Sequence, residues 1–145
     1  MKKFLLLMLT VLFMMPLAVK AQMNATFGTG TAATTTGGAA GAPMSAGTIY
    51  SYVQNIYTAS EFAAAGVPAG SMITEIAFSC GTNTTTVMHN CRTYMGHRAT
   101  ESFSSVSDLT LASDLSLVDS SDWATNGIGW FAIPLQTPFV WNGVD

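Results

Sequence analysis

The chain has 145 residues, of which 49% are apolar, 10% aromatic and only 9% charged, enough for one small globular domain and too few for a second large one. Five Lys and Arg stand against eight Asp and Glu, and Lys2, Lys3 and Lys20 all fall within the first twenty residues. From Gln22 onward only Arg92 and Arg98 oppose all eight acids, so this part is net acidic and lacks the clustered cations that nucleic-acid phosphates require.

The cationic start Met1-Lys2-Lys3 leads into an apolar run from Phe4 to Val19, interrupted only by Thr10 and Pro16, and then into Lys20-Ala21-Gln22. This is the pattern of a secretory signal peptide over 1–21, and the small side chains Val19 and Ala21 place cleavage between Ala21 and Gln22. The run is shorter than the ~20 apolar residues of a spanning helix. No membrane span is expected after cleavage, and the chain is expected to be secreted or held at the cell surface. Residues 22–47 are rich in Thr, Gly and Ala, lack apolar periodicity and read as a flexible leader with Phe27 as its one large anchor.

The domain proper is expected over 48–145. Tyr50, Tyr52, Ile56 and Tyr57 are interleaved with polar residues, which predicts a strand over 49–58. Thr58-Ala59-Ser60-Glu61 is a capping box, so a short helix is predicted from there through Phe62 to Ala65, stopped by Gly66 and by Val67-Pro68. Met72 to Cys80 alternates, with Met72, Ile76, Phe78 and Cys80 on one face and Glu75 and Ser79 on the other. Val87 to Gly96 is extended again after the polar turn at Gly81, so these two strands are expected to pair as a hairpin. Leu115 to Val118 predicts a short strand. Trp130, Phe131, Ile133 and Leu135 form an apolar strand in the core, Pro138 interrupts it, and Phe139 to Trp141 starts another, with Trp141 also in the core. Abundant Thr and aromatics with 13 Gly predict an all-β fold, an antiparallel β-sandwich with one short helix.

Cys80 and Cys91, the only cysteines, form an even pair in an exported chain near the two ends of the expected hairpin loop, and are expected to form a disulfide. Together with His89 and His97 they offer zinc-type donors, but the spacing fits no standard finger and two surface histidines are the better reading; no metal is expected. No G-x-S-x-G elbow is present, Glu61, Glu75 and Glu101 lie on separate segments, and Asp114, Asp119 and Asp122 lack a calcium-loop pattern. No phosphate loop or dinucleotide fingerprint occurs, so neither catalysis nor a cofactor is expected. Among the aromatics, Tyr52 and Trp123 are the candidates for an exposed ligand-stacking surface.

The ordered segments GTGTAATTT, SYVQNIYTASE, FAAAG, AGSMITEIAFSC, RTYMGHRATESFSS and IPLQTPFVWNG resemble the N-terminal module of secreted, multi-domain surface proteins of Gram-negative bacteria that use type IX secretion. The resemblance implies a jelly-roll-like sandwich, followed in that family by fibronectin type III or adhesin-like repeats and a sorting domain, with no catalytic residues. That family usually continues past the Asn142-Gly143 turn, so the domain is expected to lack its last strand or strands; the expected address is periplasmic only if the sorting domain is truly absent. The function expected is non-catalytic adhesion or binding of a host or matrix protein or glycan. The alternative is an accessory or spacer domain of a secreted peptidase or glycan hydrolase.

Overall fold

The computed structural model describes residues 22–27, 52–81, 85–105 and 107–144. The expected signal peptide, Ala21 of its cleavage site and residues 28–47 of the expected leader lie outside the described residues. In chain order the described elements are helix α1 (Ala59–Ala64), strands β1 (Met72–Cys80) and β2 (Thr85–Met95), a 3-10 turn (Ala112–Asp114), and strands β3 (Ser116–Asn126) and β4 (Gly129–Val140). The fold is antiparallel and all-β, with one short α-helix.

Helix α1 forms for the local reasons its sequence offers. Glu61 N–H donates to Thr58 Oγ1 at 3.2 Å while Thr58 N–H donates to Glu61 Oε2 at 2.8 Å, so each residue of the box satisfies an amide the helix cannot. The helix ends in a Schellman turn: Val67 N–H reaches Phe62 O at 2.9 Å and Gly66 N–H reaches Ala63 O at 3.0 Å. Gly66 takes φ 76°, where a Cβ would be strained. The one large apolar side chain of the helix, Phe62, is buried between Phe27 (centroids 4.7 Å apart) and Trp141 (4.3 Å). Phe27 thus anchors residues 22–27 to the domain.

The strand expected over 49–58 does not form in its described part. Residues 52–58 are extended without a ladder, and Gln54 holds them in place instead: its Nε2 donates to Thr110 O at 2.6 Å and its Oε1 accepts from Thr110 N–H at 3.0 Å. Interleaved aromatics do not by themselves supply a neighbouring strand, and Tyr52 and Tyr57 remain exposed.

The pairing of the strands also departs from expectation. β1 pairs with β4, from Met72↔Val140 to Cys80↔Gly129, and β2 pairs with β3, from Thr85↔Asn126 to Met95↔Ser116. The two arms 72–95 and 116–140 therefore form one long antiparallel ribbon with its tip in the loop 96–115. The ribbon changes sheet between Cys80 and Thr85. The β1–β2 hairpin expected from sequence adjacency is not made, because cross-strand chemistry favours the nested arrangement. Ile76 faces Ile133 and Phe78 faces Phe131, apolar against apolar. Thr86 faces Thr125, Cys91 faces Ser121 and Thr93 faces Asp119, small or polar against polar.

The two sheets meet along β3 and β4, where Val118, Ile133 and Leu135 are buried and Gln136 Nε2 donates to Ser120 O at 3.3 Å. Val118 and Ile133, each 2% exposed, are worth roughly 1.5–3 kcal/mol apiece in burial. β3 is longer than the short strand expected. β4 is a single strand that contains Pro134 and Pro138; Pro138 falls where the β1 ladder is irregular, between Ile73↔Phe139 and Glu75↔Pro134, and Pro134 stands opposite Glu75 at the edge of that irregularity. The same irregularity resets the faces of β1, leaving Met72 exposed and Ile73 half-buried. Trp141 is buried as expected, whereas Trp130 is 66% exposed. With Phe131, Ile133 and Leu135 turned inward, the period of two sends Trp130 outward, despite the apolar character of the whole run.

Candidate functional site

An open groove of about 2140 Å³ runs between β1 and β2, bounded by the consecutive residues 70–78 and 86–98. Tyr52, Trp123 and Trp130 all open onto this groove.

Tyr52 is 56% exposed, and its hydroxyl donates to Thr110 O at 3.0 Å and accepts from Gln54 Nε2. The ring is thus fixed at its polar end and presented to solvent. Trp123 is half-buried: its ring lies 6.1 Å from Phe131, and its indole N–H donates at 3.3 Å to Oδ2 of Asp119, which also accepts from Ser121 Oγ at 2.7 Å. Asp119 is only 2% exposed, and those two donors compensate part of its burial. Trp123 therefore has a role inside sheet β2–β3, and Trp130 is the aromatic of this region most open to a ligand. The uniformly apolar run Trp130–Ile133 carried no sequence signal for it.

Beside Tyr52 the loop 96–115 is organised by Arg98. Its guanidinium bonds Asp108 Oδ1 at 2.6 Å, Thr110 Oγ1 at 3.2 Å and Thr100 Oγ1 at 2.6 Å, and stands 5.1 Å from the centre of the Phe103 ring. Ser104 N–H and Oγ donate to the other oxygen of Asp108 at 2.8 and 2.9 Å. Arg98, followed by the two Ser104 donors, holds the Asp108 carboxyl down at about 2. At the neck of the loop, Gly96 lies close to Leu115: a Cβ there would stand 2.5 Å from Leu115 Cδ2 and displace that methyl group.

His89 and Asp122 form a second polar pair, on the surface. The ladder bulges between Met88 and Cys91, Asn90 takes φ 58°, and the Asn90 N–H released by the bulge donates to Asp122 Oδ1 at 2.8 Å. His89 Nδ1 lies 2.7 Å from Asp122 Oδ2. These contacts, the Asn90 amide first, lower the pKa of Asp122. His97 is elsewhere, with its ring 4.9 Å from Phe139 and its Nε2 accepting from Asn142 N–H at 3.2 Å. Among the described residues no three His, Cys, Asp or Glu side chains converge as a metal site.

The expected disulfide is corrected by the structure: Cys80 and Cys91 are separate thiols. The bridge depended on a β1–β2 hairpin, whereas Cys80 stands opposite Gly129 and Cys91 opposite Ser121, in different sheets. Burial raises the Cys91 thiol above its ordinary value, and its Sγ lies 3.5 Å from Met88 O.

Among the described residues no helix is long and apolar enough to cross a membrane. No protein-family model, curated protein or solved structure matches the chain.

Proposed function

We propose that this chain is a non-catalytic, exported β-sandwich module of the bacterial surface that binds a protein or glycan through aromatic rings at the groove between β1 and β2. The observation that carries the reading is the exposure of Tyr52 and Trp130 on one groove, while Phe62 and Trp141 are packed inside. Aromatic faces stack on the apolar faces of sugars and on peptide side chains, and a fixed ring loses little entropy on binding. The nested pairing of β1 with β4 and β2 with β3 supports the jelly-roll reading, in which a long hairpin folds over so that its outer and inner pairs enter different sheets. The cationic and apolar opening of the sequence supports export.

Screening the full chain against immobilised glycans and matrix proteins tests the proposal. A reproducible hit weakened at least about tenfold by Trp130→Ala or Tyr52→Ala, with unchanged thermal unfolding, is expected for a lost stacking contact of ~1.4 kcal/mol or more. Hits indifferent to both substitutions, or no hit at all, overturn the aromatic site and leave a spacer role within a larger secreted protein.

A further inference from the structure

β4 sends Phe131, Ile133 and Leu135 inward and therefore turns Trp130, Ala132 and Pro134 to its opposite face, where all three are exposed. The ladder sets Ser79 opposite Trp130, Ala77 opposite Ala132 and Glu75 opposite Pro134, and these three residues of β1 are exposed as well. Six side chains thus form one strip across two paired strands. The middle pair carries only methyl groups, while the Trp130 ring rises at one end and the Glu75 side chain at the other, so the strip is a shallow trough with an apolar floor. Glu75, Ala77, Trp130 and Ala132 all open onto the groove described above. The polar groups at the two ends are uncommitted. Among the described residues neither the Glu75 carboxylate nor the Ser79 hydroxyl has a hydrogen-bond partner, whereas Asp108, Asp119 and Asp122 are each held by donors of this chain.

We propose, resting on the aromatic site argued above, that this strip is its binding surface and that the ligand is an uncharged glycan with flat, equatorially linked rings. One sugar ring stacks its CH face on Trp130, the next lies over Ala77 and Ala132, and a hydroxyl donates to Glu75. Size selects this class of ligand. At ordinary strand spacings the strip is ~13 Å long and ~10 Å wide, a footprint of roughly 130 Å² against the ~800 Å² that each partner buries in a stable protein interface. Charge selects within the class. An unpaired carboxylate on a net acidic chain accepts from sugar hydroxyls and repels uronate or sulfate groups.

Isothermal titration of the full chain with hexamers of β-1,4-linked glucose and of β-1,4-linked N-acetylglucosamine, beside a galacturonate hexamer, tests the proposal. A neutral hexamer is expected to bind, and the galacturonate hexamer to bind at least about tenfold more weakly. Ala132→Leu raises the floor without removing the ring and is expected to weaken binding at least about tenfold, and Glu75→Ala to weaken it about tenfold through the lost hydrogen bond to a charged group. Both positions are exposed, and an unchanged thermal midpoint verifies that each variant is folded. Silence of both neutral hexamers overturns the proposal, as does binding indifferent to Ala132→Leu and Glu75→Ala. A ligand that needs Trp130 but ignores those two substitutions, or a matrix protein that needs Trp130 while both neutral hexamers stay silent, removes the glycan strip and leaves the aromatic site standing, so the two readings fail separately.

Discussion

The ring of Trp141 stacks on that of Phe62 with 4.3 Å between centroids and 19° between planes, joining the residue that follows β4 to the only buried residue of α1. Gly70 N–H to Trp141 O at 2.7 Å and Trp141 N–H to Ser71 O at 2.9 Å prolong the β1–β4 ladder to this point. Helix, ladder and Phe27 therefore share one apolar cluster. Phe62→Ala is expected to lower unfolding free energy by about 3–5 kcal/mol, measured by urea titration. A loss below ~1 kcal/mol, the size of an ordinary surface change, would show that the helix is not integral to the core.

The two tryptophans of the β3–β4 region should behave in opposite ways. Trp130→Ala removes an exposed ring and is expected to change stability by no more than about 0.5 kcal/mol. Trp123→Ala removes a half-buried ring together with one of the two donors to the buried Asp119 carboxylate, so a loss of about 2–4 kcal/mol is expected. Equal effects in chemical denaturation would refute the inside-outside assignment of these strands.

Acid should loosen the loop 96–115 by a path that runs through Asp108. Its folded value, about 2, lies below the ordinary 3.8, so its contribution to stability is fully present above 3.8 and is lost as pH falls from there toward 2. Asp122, also lowered, acts with the same sign. Asp108→Asn is expected to flatten the dependence of unfolding free energy on pH across that window, and a slope identical to that of the unmodified chain would show that the Arg98–Asp108 contact is not formed in solution.

Thiol chemistry distinguishes the observed arrangement from the disulfide expected for an exported chain. Unfolding without reductant in the presence of iodoacetamide is expected to alkylate both cysteines, and reductant is expected to leave the thermal midpoint unchanged. In the folded chain, Cys91 should react slowly at neutral pH because burial keeps its thiol protonated. A midpoint lowered by reductant would restore the bridge.

Local chemistry was readable directly from the order of residues. The Thr58–Glu61 box, the stop at Gly66 and the extended character of 72–80 and 87–95 each depend on neighbours within a few positions, and all of them are found in the structure. The all-β class follows from the same level, because composition and alternation report how side chains fit a pleated surface. Partner choice is a different kind of information. Whether β1 lies beside β2 or β4 depends on matching Ile76 and Phe78 with Ile133 and Phe131 across more than fifty residues of chain, a comparison no local window contains. The fate of Trp130, the separation of the two cysteines and the grouping of Tyr52 with Trp130 on one groove all follow from that pairing. A strand's pattern states that one face is buried, but only the assembled sheets determine which face that is and what it meets.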